Sequence, residues 1–335
     1  MGEKSRMTKV VFFADIKKLH KALAFFSLRS YAGKKVPVKL HMGEKGNSYF
    51  VKPELVKHVV DELKKADINP FLFDTTVAYH GARHTKEEYE NLAKFHGFTL
   101  KNIGCDVVIG DSGVLTTVEG RTFEVAHHLK NSTHIFALSH VKGHIQSGMG
   151  GAIKNFGMGG VTKETKIKIH DGSYPVYQKD ACTYCGVCAE VCPFQAIQVN
   201  EESWDYTEQE CFGCSVCVDA CPSKALQNQD ADLQFLLACS AKACVQDKTV
   251  LYLNELKRIV KGCDCDPNAG PIICPDIGYL VSNDPVAIDK ASLDLINKVK
   301  ENVFEEINKI NPMKQIRYGE EIGLGSSSYE LIEVQ

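Results

Sequence analysis

Residues 181–193, ACTYCGVCAEVCP, recur 29 positions later as residues 210–222, ECFGCSVCVDACP. Each copy contains four cysteines separated by two, two and three residues, and a proline follows the fourth cysteine. The eight cysteines are Cys182, Cys185, Cys188, Cys192, Cys211, Cys214, Cys217 and Cys221. This spacing is the bacterial ferredoxin pattern, in which cysteine thiolates bind [4Fe–4S] clusters. The repeat predicts two such clusters in a small, pseudo-symmetric α+β ferredoxin-like module.

The order of the cysteines also predicts which of them share a cluster. Three cysteines on one tight loop reach three irons of one cluster, and the fourth binds the other cluster. One cluster would take Cys182, Cys185, Cys188 and Cys221, and the other would take Cys211, Cys214, Cys217 and Cys192. Structural zinc is the alternative, because Cys-x2-Cys pairs also bind zinc. The repeated 2-2-3 spacing with its proline favours iron–sulfur clusters.

On both sides of this module, short β-rich runs alternate with amphipathic helical stretches. Strands are predicted at residues 10–15, 37–41, 71–76, 106–111, 134–140, 249–253, 277–282 and 329–334. Helices are predicted at residues 53–65, 85–97, 231–245 and 285–299. This alternation indicates an α/β fold with a largely parallel sheet.

A chain of 335 residues is long enough for one large domain and one small one. We predict one discontinuous α/β domain, formed by residues 1–175 and 230–335, with the ferredoxin module inserted at residues 176–229. Two separate α/β domains that flank the module are the alternative.

Composition and charge restrict the partners. No apolar run approaches the length of about 18 residues that crosses a bilayer, and the first 18 residues lack a signal-peptide core. We therefore expect a cytoplasmic protein without a membrane partner, in which 14 cysteines favour metal binding over disulfides. Residues 176–229 contain eight acidic and two basic side chains, a net charge of −6. This charge suggests a docking face for a redox partner protein, or only a soluble surface.

Outside the module, the chain has no basic stripe that would predict nucleic-acid binding. Residues 138–160, LSHVKGHIQSGMGGAIKNFGMGG, instead combine glycines with His140, Lys142, His144, Lys154 and Asn155. Exposed backbone N–H groups in such a stretch can hold an anion, lysines add positive charge, and histidines transfer protons or bind metal. A mobile surface loop is the alternative. We favour a site for a small anionic substrate, although the stretch matches no nucleotide-binding motif.

Two further groups of polar residues are candidates. Residues 79–85, YHGARHT, follow a predicted strand, so His80, Arg83 and His84 are candidate ligand contacts. Thr85 fits equally well as a helix N-cap. Cys263 and Cys265 form a Cys-x-Cys pair, which can bind a soft metal or form a redox pair. Either cysteine can also be a small buried apolar residue.

Several of these segments together resemble the iron–sulfur centre proteins known as domain of unknown function 362. The resemblance rests on residues 73–85, 139–159, the segment that ends at His170, the double cysteine motif, Cys263-Asp264-Cys265 and residues 275–296. It implies an α/β domain interrupted by a ferredoxin insert with two bound clusters, and it does not supply a reaction. It also adds His170 to the candidate site.

A fainter similarity links the α/β domain to nickel-pincer lactate racemases. It consists of the G-x-[HR] and T-x-E patterns at residues 81–83 and 85–87. The racemases lack the ferredoxin insert, and this sequence has no equivalent of their cofactor-attachment segment. Racemase activity is therefore not expected.

The leading hypothesis is an oxygen-sensitive iron–sulfur oxidoreductase that receives electrons through the module. The electrons would reach a substrate or a second metal held by His140, Lys142, His144, Lys154, Asn155, His170 and the pair Cys263 and Cys265. A dedicated electron carrier that docks a partner enzyme is the second hypothesis, and a metal or cofactor assembly protein is the third. A bare ferredoxin needs only the insert, so the polar residues of the surrounding domain favour the oxidoreductase.

Overall fold

The computed structural model describes residues 7–335. Residues 1–6 lie outside the described residues. They belong to the predicted first part of the α/β domain and to the stretch in which no signal peptide is expected. Across residues 7–335, no helix is both long and apolar enough to span a membrane.

A single eight-stranded sheet forms the centre of the α/β part. In chain order its strands are β1 (Thr8–Phe13), β2 (Lys35–Lys39), β3 (Asn69–Thr75), β4 (Val107–Gly110), β5 (His134–His140), β6 (Thr249–Leu256), β7 (Gly278–Ser282) and β8 (Tyr329–Glu333). Their order across the sheet is β8-β1-β7-β6-β5-β2-β3-β4. Only β7 runs antiparallel to its neighbours, β1 and β6. The predicted α/β class with a largely parallel sheet is confirmed.

Strands β5 and β6 come from opposite sides of the double cysteine motif and pair in parallel along their length, from Thr249 opposite His134 to Glu255 opposite His140. All seven residues of β5 are buried. A strand that is covered on both faces is typical of parallel sheets, where helices pack against each side. Residues before and after the cysteine motif therefore share one sheet.

The helices are α1 (Leu19–Leu23), α2 (Pro53–Lys65), α3 (Lys86–Phe95), α4 (Leu100–Ile103), α5 (His127–Lys130), α6 (Ala152–Gly157), α7 (Lys163–Gly172), α8 (Val187–Glu190), α9 (Val216–Ala220), α10 (Leu233–Val245), α11 (Pro285–Val299), α12 (Val303–Asn308) and α13 (Met313–Glu321). The predicted helices at 53–65 and 285–299 are confirmed to the residue. Both begin with proline at the first helical position, where its missing N–H costs nothing.

Helices cover the sheet on two sides. Side chains of α1 to α4 pack with alternate strand residues such as Val11, Val38 and Leu72. Side chains of α6, α10, α11 and α13 pack with strand residues that point the other way, such as Val10 and Phe73. This alternation follows from the two-residue period of a strand. The short paired strands Gly113–Val118 and Arg121–Ala126 lie outside the sheet.

The glycine-rich stretch 138–160 is less open than expected for a loop. Lys142–His144 pairs with Gly148–Gly150, and α6 follows directly. The carboxylate of Asp289 on α11 accepts hydrogen bonds from the backbone N–H groups of Ala152 at 2.7 Å and Ile153 at 2.9 Å. These N–H groups are therefore occupied by the protein's own carboxylate and do not bind an anion, which corrects the expectation for this part of the stretch.

The segment of residues 175–228, called the cysteine segment below, forms two small antiparallel sheets. Pro175–Tyr177 pairs with Leu226–Asn228, and Ile197–Val199 pairs with Trp204–Tyr206. A separate apolar cluster that includes Ile197, Ala225 and Leu226 lies between them. The predicted limits of the insert, residues 176–229, stay a prediction.

Asp289 is fully buried and also accepts a hydrogen bond from the Asn254 amide at 2.9 Å. Replacing it with alanine leaves three buried donors without an acceptor, so we expect Asp289→Ala to lower the free energy of unfolding by about 3 kcal/mol in urea denaturation. Asp61→Ala is the control, because Asp61 forms only an exposed pair with Lys57 and should cost less than about 0.5 kcal/mol. Equal losses in both variants would contradict this role.

Candidate functional site

A large cavity opens at the carboxyl ends of the central strands. The strand order changes direction between β2 and β5, because β3 and β4 extend the sheet to one side and β6 extends it to the other. In open α/β sheets this is the usual position of a ligand site. The cavity has a volume of about 1330 Å³. Its walls come from the ends of β2, β3 and β5, from α6 and α7, from residues 261–271, and from Cys211 and Phe212 of the cysteine segment.

Asn155 and Lys39 form part of the cavity floor. The buried Lys39 ammonium pairs with Asp74 at 2.9 Å and donates to the Asn155 amide oxygen at 2.7 Å. The Asn155 amide nitrogen donates to the Ser139 hydroxyl at 3.0 Å. Asn155, predicted as a site residue, therefore has both ends of its amide engaged and holds Lys39 in place.

His140 and Lys142 meet the carboxylate of Asp264, which is fully buried. His140 Nδ1 lies 2.8 Å from Asp264 Oδ1, and Lys142 Nζ lies 2.9 Å from Asp264 Oδ2. Burial alone would raise the pKa of Asp264, but the adjacent His140 and Lys142 hold it well below its usual range. His140 Nε2 also lies 2.8 Å from the Lys257 carbonyl oxygen.

The structure places both predicted residues, His140 and Lys142, at the cavity wall and pairs them with Asp264, and their predicted role toward a substrate or a metal stays a prediction. Both ring nitrogens of His140 already face oxygen partners, and the charge of Lys142 is balanced by Asp264. Asp264 was not predicted as a partner, because it lies more than 120 positions along the chain from both residues. The two side chains therefore orient the loop that carries Asp264.

The residues of the 79–85 motif do not all reach the cavity. Arg83, only 2% exposed, lines the cavity and pairs through Nε with Glu44 at 2.9 Å. His80 also lines the cavity, whereas His84 lies outside it, with Nδ1 3.0 Å from the Tyr79 carbonyl oxygen. Thr85 caps α3 in a capping box with Glu88, as the alternative interpretation of that residue predicted.

Of the cavity lysines that are not exposed to solvent, two have no carboxylate partner within residues 7–335. Lys154 on α6 and Lys166 on α7 both line the cavity, and neither forms a salt bridge anywhere in residues 7–335. Lys166 donates to the Thr75 hydroxyl at 2.7 Å and to the Thr76 carbonyl. Burial lowers the pKa of Lys166 to about 7, and the neighbouring Lys39, Arg83 and Lys154 act in the same direction. An anion is the ligand that these ammonium groups would stabilise.

Lys166 was missed by the sequence interpretation, although its position contains a signal. It lies four residues before His170, and residues at this spacing share one face of a helix. His170 lines the same cavity, and burial, with Lys154 and His144 nearby, lowers the pKa of its imidazole to about 4. The predicted His170 and the unpredicted Lys166 thus reach the cavity together.

His144, Cys263 and Cys265 form a second group on the cavity wall. One ligand atom of each lies within 4.8 Å of the other two, an arrangement that is compatible with metal binding. The Cys265 backbone N–H donates to Cys263 Sγ at 3.4 Å, and Lys154 Nζ lies 4.0 Å from the same sulfur. The Cys265 thiol, Lys154 and His144 together hold the pKa of Cys263 well below its usual range. His144 itself stays neutral, because burial lowers its pKa to about 4.

The eight repeated cysteines line two small cavities in the cysteine segment. Cys182, Cys185, Cys188 and Cys221 border one of them, and Cys192, Cys211, Cys214 and Cys217 border the other. In each set the fourth cysteine comes from the other copy of the repeat. Cys211 also lines the large cavity, so one set of cysteines lies at its wall.

Both small cavities have the lining that an iron–sulfur cluster requires. Backbone N–H groups donate to cysteine sulfurs, from Tyr184 to Cys182 at 3.3 Å and from Gly213 to Cys211 at 3.3 Å. The buried Trp204 indole N–H has no hydrogen-bond partner within the described residues and borders the small cavity that Cys188 lines. Donors that face sulfur stabilise thiolates and cluster sulfides. The donor set therefore fits the clusters that the cysteine spacing predicts.

The fold and the site together define an α/β protein with a candidate Cys/His metal site and a cysteine-rich segment compatible with iron–sulfur binding. Residues 36–294 match the family described as Domain of unknown function (DUF362). The chain belongs to this family. No curated protein matches the chain.

Two solved structures resemble the fold. One is the lactate racemase apoprotein from Thermoanaerobacterium thermosaccharolyticum, with 13% identity, a TM-score of 0.39, and coverage of 78% of this chain and 52% of that one. The other is a structural-genomics protein from Thermotoga maritima, with 13% identity, a TM-score of 0.42, and coverage of 88% and 59%. The matched region spans less than two thirds of the length of each of these two solved proteins.

The pKa of Lys166 near 7 sets the pH dependence of anion binding. Its ammonium is present below pH 7 and is lost as the pH rises through 7, so we expect the affinity for sulfate to fall about tenfold between pH 6 and pH 8. Sulfate keeps its double charge over this range, and His144 and His170 are already neutral. Isothermal titration calorimetry of the full chain measures the affinity.

Lys166→Met should bind sulfate more weakly and without this pH dependence. Lys168→Met is the matched control, because Lys168 lies on the exposed face of the same helix, and it should behave as the wild type does. An unchanged pH dependence in Lys166→Met would show that another group titrates.

Proposed function

We propose that this chain is an iron–sulfur protein that binds two [4Fe–4S] clusters and transfers electrons through them to an anionic ligand in the large cavity. When bound, each cluster would serve as a one-electron carrier. Cys182, Cys185, Cys188 and Cys221 would hold one cluster, and Cys192, Cys211, Cys214 and Cys217 would hold the other. The proposed activity is that of an oxidoreductase.

The observation that carries this proposal is the position of Cys211. This cysteine belongs to one of the two four-cysteine sets and also lines the cavity that contains Lys154, Lys166 and His170. A dedicated electron carrier needs its clusters near a surface that docks a partner, and it does not need one of them beside an internal cation-lined cavity. The oxidoreductase hypothesis explains both features.

The cavity residues would have two roles toward the ligand, which are binding of its negative charge and proton transfer. Lys154 and Lys166 would bind the anionic group, because their charges have no carboxylate partner in the part of the chain that the structure describes. A pKa of about 7 also suits Lys166 for accepting or donating a proton near neutral pH. His170, neutral at that pH, would accept a hydrogen bond or a proton from a reduced ligand.

Electrons would enter from a redox partner protein at the acidic surface of the cysteine segment. Glu201, Glu202, Glu208 and Glu210 are exposed there. Complementary charge on a partner would accelerate its encounter with this surface. This role explains why the acidic residues are concentrated in the segment, whereas the large cavity is lined by lysines.

The proposal is tested by the iron and acid-labile sulfide content of protein purified without oxygen, together with electron paramagnetic resonance after reduction. We expect about eight irons and eight sulfides per chain and a signal from two reduced clusters. Cys211→Ser removes a ligand of the cluster beside the cavity and should lower the iron content by up to about half.

Cys239→Ser is the matched control, because Cys239 is a fully buried cysteine of α10 outside both sets and should keep the full iron content. Wild-type protein with about two zinc ions and no sulfide would refute the iron–sulfur proposal. A loss of iron that is the same in both variants would refute the assignment of Cys211.

A further inference from the structure

The His144, Cys263 and Cys265 group is compatible with two chemistries, and the hydrogen bonds of His144 distinguish them. The backbone N–H groups of Gln146 and Ser147 both point at His144 Nδ1, each at 3.2 Å. A backbone N–H can only donate, so Nδ1 must be the acceptor nitrogen of the ring. In a neutral imidazole the proton is then on Nε2.

A proton on Nε2 suits a sulfur acceptor better than a metal ion. A histidine that binds a metal through one nitrogen usually donates the N–H of the other nitrogen to an oxygen. Here the other nitrogen, Nδ1, is already an acceptor. His144 therefore offers Nε2 as a donor, and one nitrogen of its ring lies within 4.8 Å of the sulfur of Cys263.

The position of Lys154 leads to the same conclusion. Its ammonium lies 4.0 Å from Cys263 Sγ and forms no salt bridge within residues 7–335. A metal cation held by Cys263 would be repelled by this ammonium at short range, whereas a thiolate would be stabilised by it. Two donors, the Lys154 ammonium and the Cys265 N–H, therefore face this sulfur, and the His144 ring lies beside it.

We infer that Cys263 and Cys265 form a redox-active dithiol/disulfide pair that stands between the cluster at Cys211 and the ligand in the cavity. The inference rests on the proposed function, which supplies the electrons. Cys263 is the cysteine that holds the thiolate, and Cys265 is its partner two residues away. Both sulfurs border the cavity in a loop that has no helix or strand between residues 261 and 271.

A continuous series of contacts connects the loop of Cys211 with Cys263. Phe212, next to Cys211, accepts a hydrogen bond at its carbonyl from the Gln146 side chain. The backbone N–H of Gln146 donates to His144, and one ring nitrogen of His144 lies within 4.8 Å of the Cys263 sulfur. The loop of one four-cysteine set is thus joined to the dithiol through two residues.

The pair converts one-electron transfer into a two-electron reaction. Reduction of the disulfide breaks the S–S bond, takes up two electrons and one proton, and leaves a thiolate on Cys263 and a thiol on Cys265. The two electrons arrive singly from the two clusters, which a low-potential one-electron donor refills. Reoxidation forms the S–S bond again and passes two electrons and the proton of the Cys265 thiol to the anionic ligand, which is a two-electron acceptor.

The test uses the full chain, purified without oxygen, with its iron and sulfide content measured on the same sample. The protein is equilibrated in mixtures of reduced and oxidised dithiothreitol and treated with an alkylating reagent. The mass of the peptide that contains Cys263 and Cys265 then gives the ratio of disulfide to dithiol. We expect a reversible change between no label and two labels, and no metal beyond the cluster iron.

Lys154→Gln keeps both cysteines and removes the ammonium that stabilises the thiolate. At a fixed dithiothreitol ratio we expect the ratio of disulfide to dithiol to rise about tenfold, because the reduced form loses its stabilising charge. Lys168→Gln is the control of equal size and should leave the ratio unchanged. This comparison needs no variant that removes a cluster ligand.

The role of the clusters is tested with reduced methyl viologen, a one-electron donor. Wild-type protein should convert its disulfide to two labelled thiols at least about ten times faster than Cys211→Ser, whereas Cys239→Ser should match the wild type. If Cys211→Ser does not fold, the Lys154→Gln comparison still decides whether the pair exists.

Two results would overturn the inference. One is a peptide that keeps both labels in the most oxidising mixture. The other is zinc, nickel or extra iron that is present in the wild type and lost in Cys263→Ser, which would establish a metal site. Wild-type protein without iron and sulfide would instead refute the proposed function, and the labelling would still report on the pair.

Discussion

The carboxylate of Asp264 organises the cavity, because it fixes the loop that contains Cys263 and Cys265 against the end of β5. It pairs with His140 at 2.8 Å and with Lys142 at 2.9 Å, and all three side chains are buried. An isolated carboxylate would lose several kcal/mol of solvation in such a place, so these partners are a condition for its burial. Once Asp264 points inward, the cysteines on either side of it are left at the cavity wall.

The requirement that a buried charge has a partner also distinguishes two kinds of charged side chain in the site: those paired within the protein and those available to a ligand. Lys39 with Asp74, Arg83 with Glu44, and Lys142 with Asp264 are each matched inside the protein. Lys154 and Lys166 form no salt bridge within residues 7–335, and the two hydrogen bonds of Lys166 to Thr75 and Thr76 recover only part of the free energy that burying its charge costs. The lowered pKa of Lys166 expresses this cost. A bound anion would offset this free-energy cost, and the offset is the physical basis for expecting an anionic ligand.

The sequence was sufficient where a local pattern determines the structure. Strand β5 and helices α2 and α11 lie where hydrophobic periodicity and the proline positions predict them. The sequence was insufficient where a side chain's role depends on a distant partner. The pairing of His140 with Asp264 joins residues 124 positions apart, so no local pattern in the glycine-rich stretch indicates it. Lys166 was overlooked for the converse reason, since only the fold reveals that its helix face is turned to the cavity.

The attachment of the cysteine segment bears on whether it serves this cavity or an external partner alone. Lys314 on α13 pairs with Asp219 of the segment, and the side chain of Gln146 donates to the Phe212 carbonyl. Gly213 packs so closely that a Cβ atom there would lie 2.4 Å from the Ser173 hydroxyl oxygen. A module that only exchanged electrons with other proteins would need no such fixed orientation. These contacts hold Cys211 at the cavity wall, and rapid electron transfer to a bound ligand requires such a constant distance.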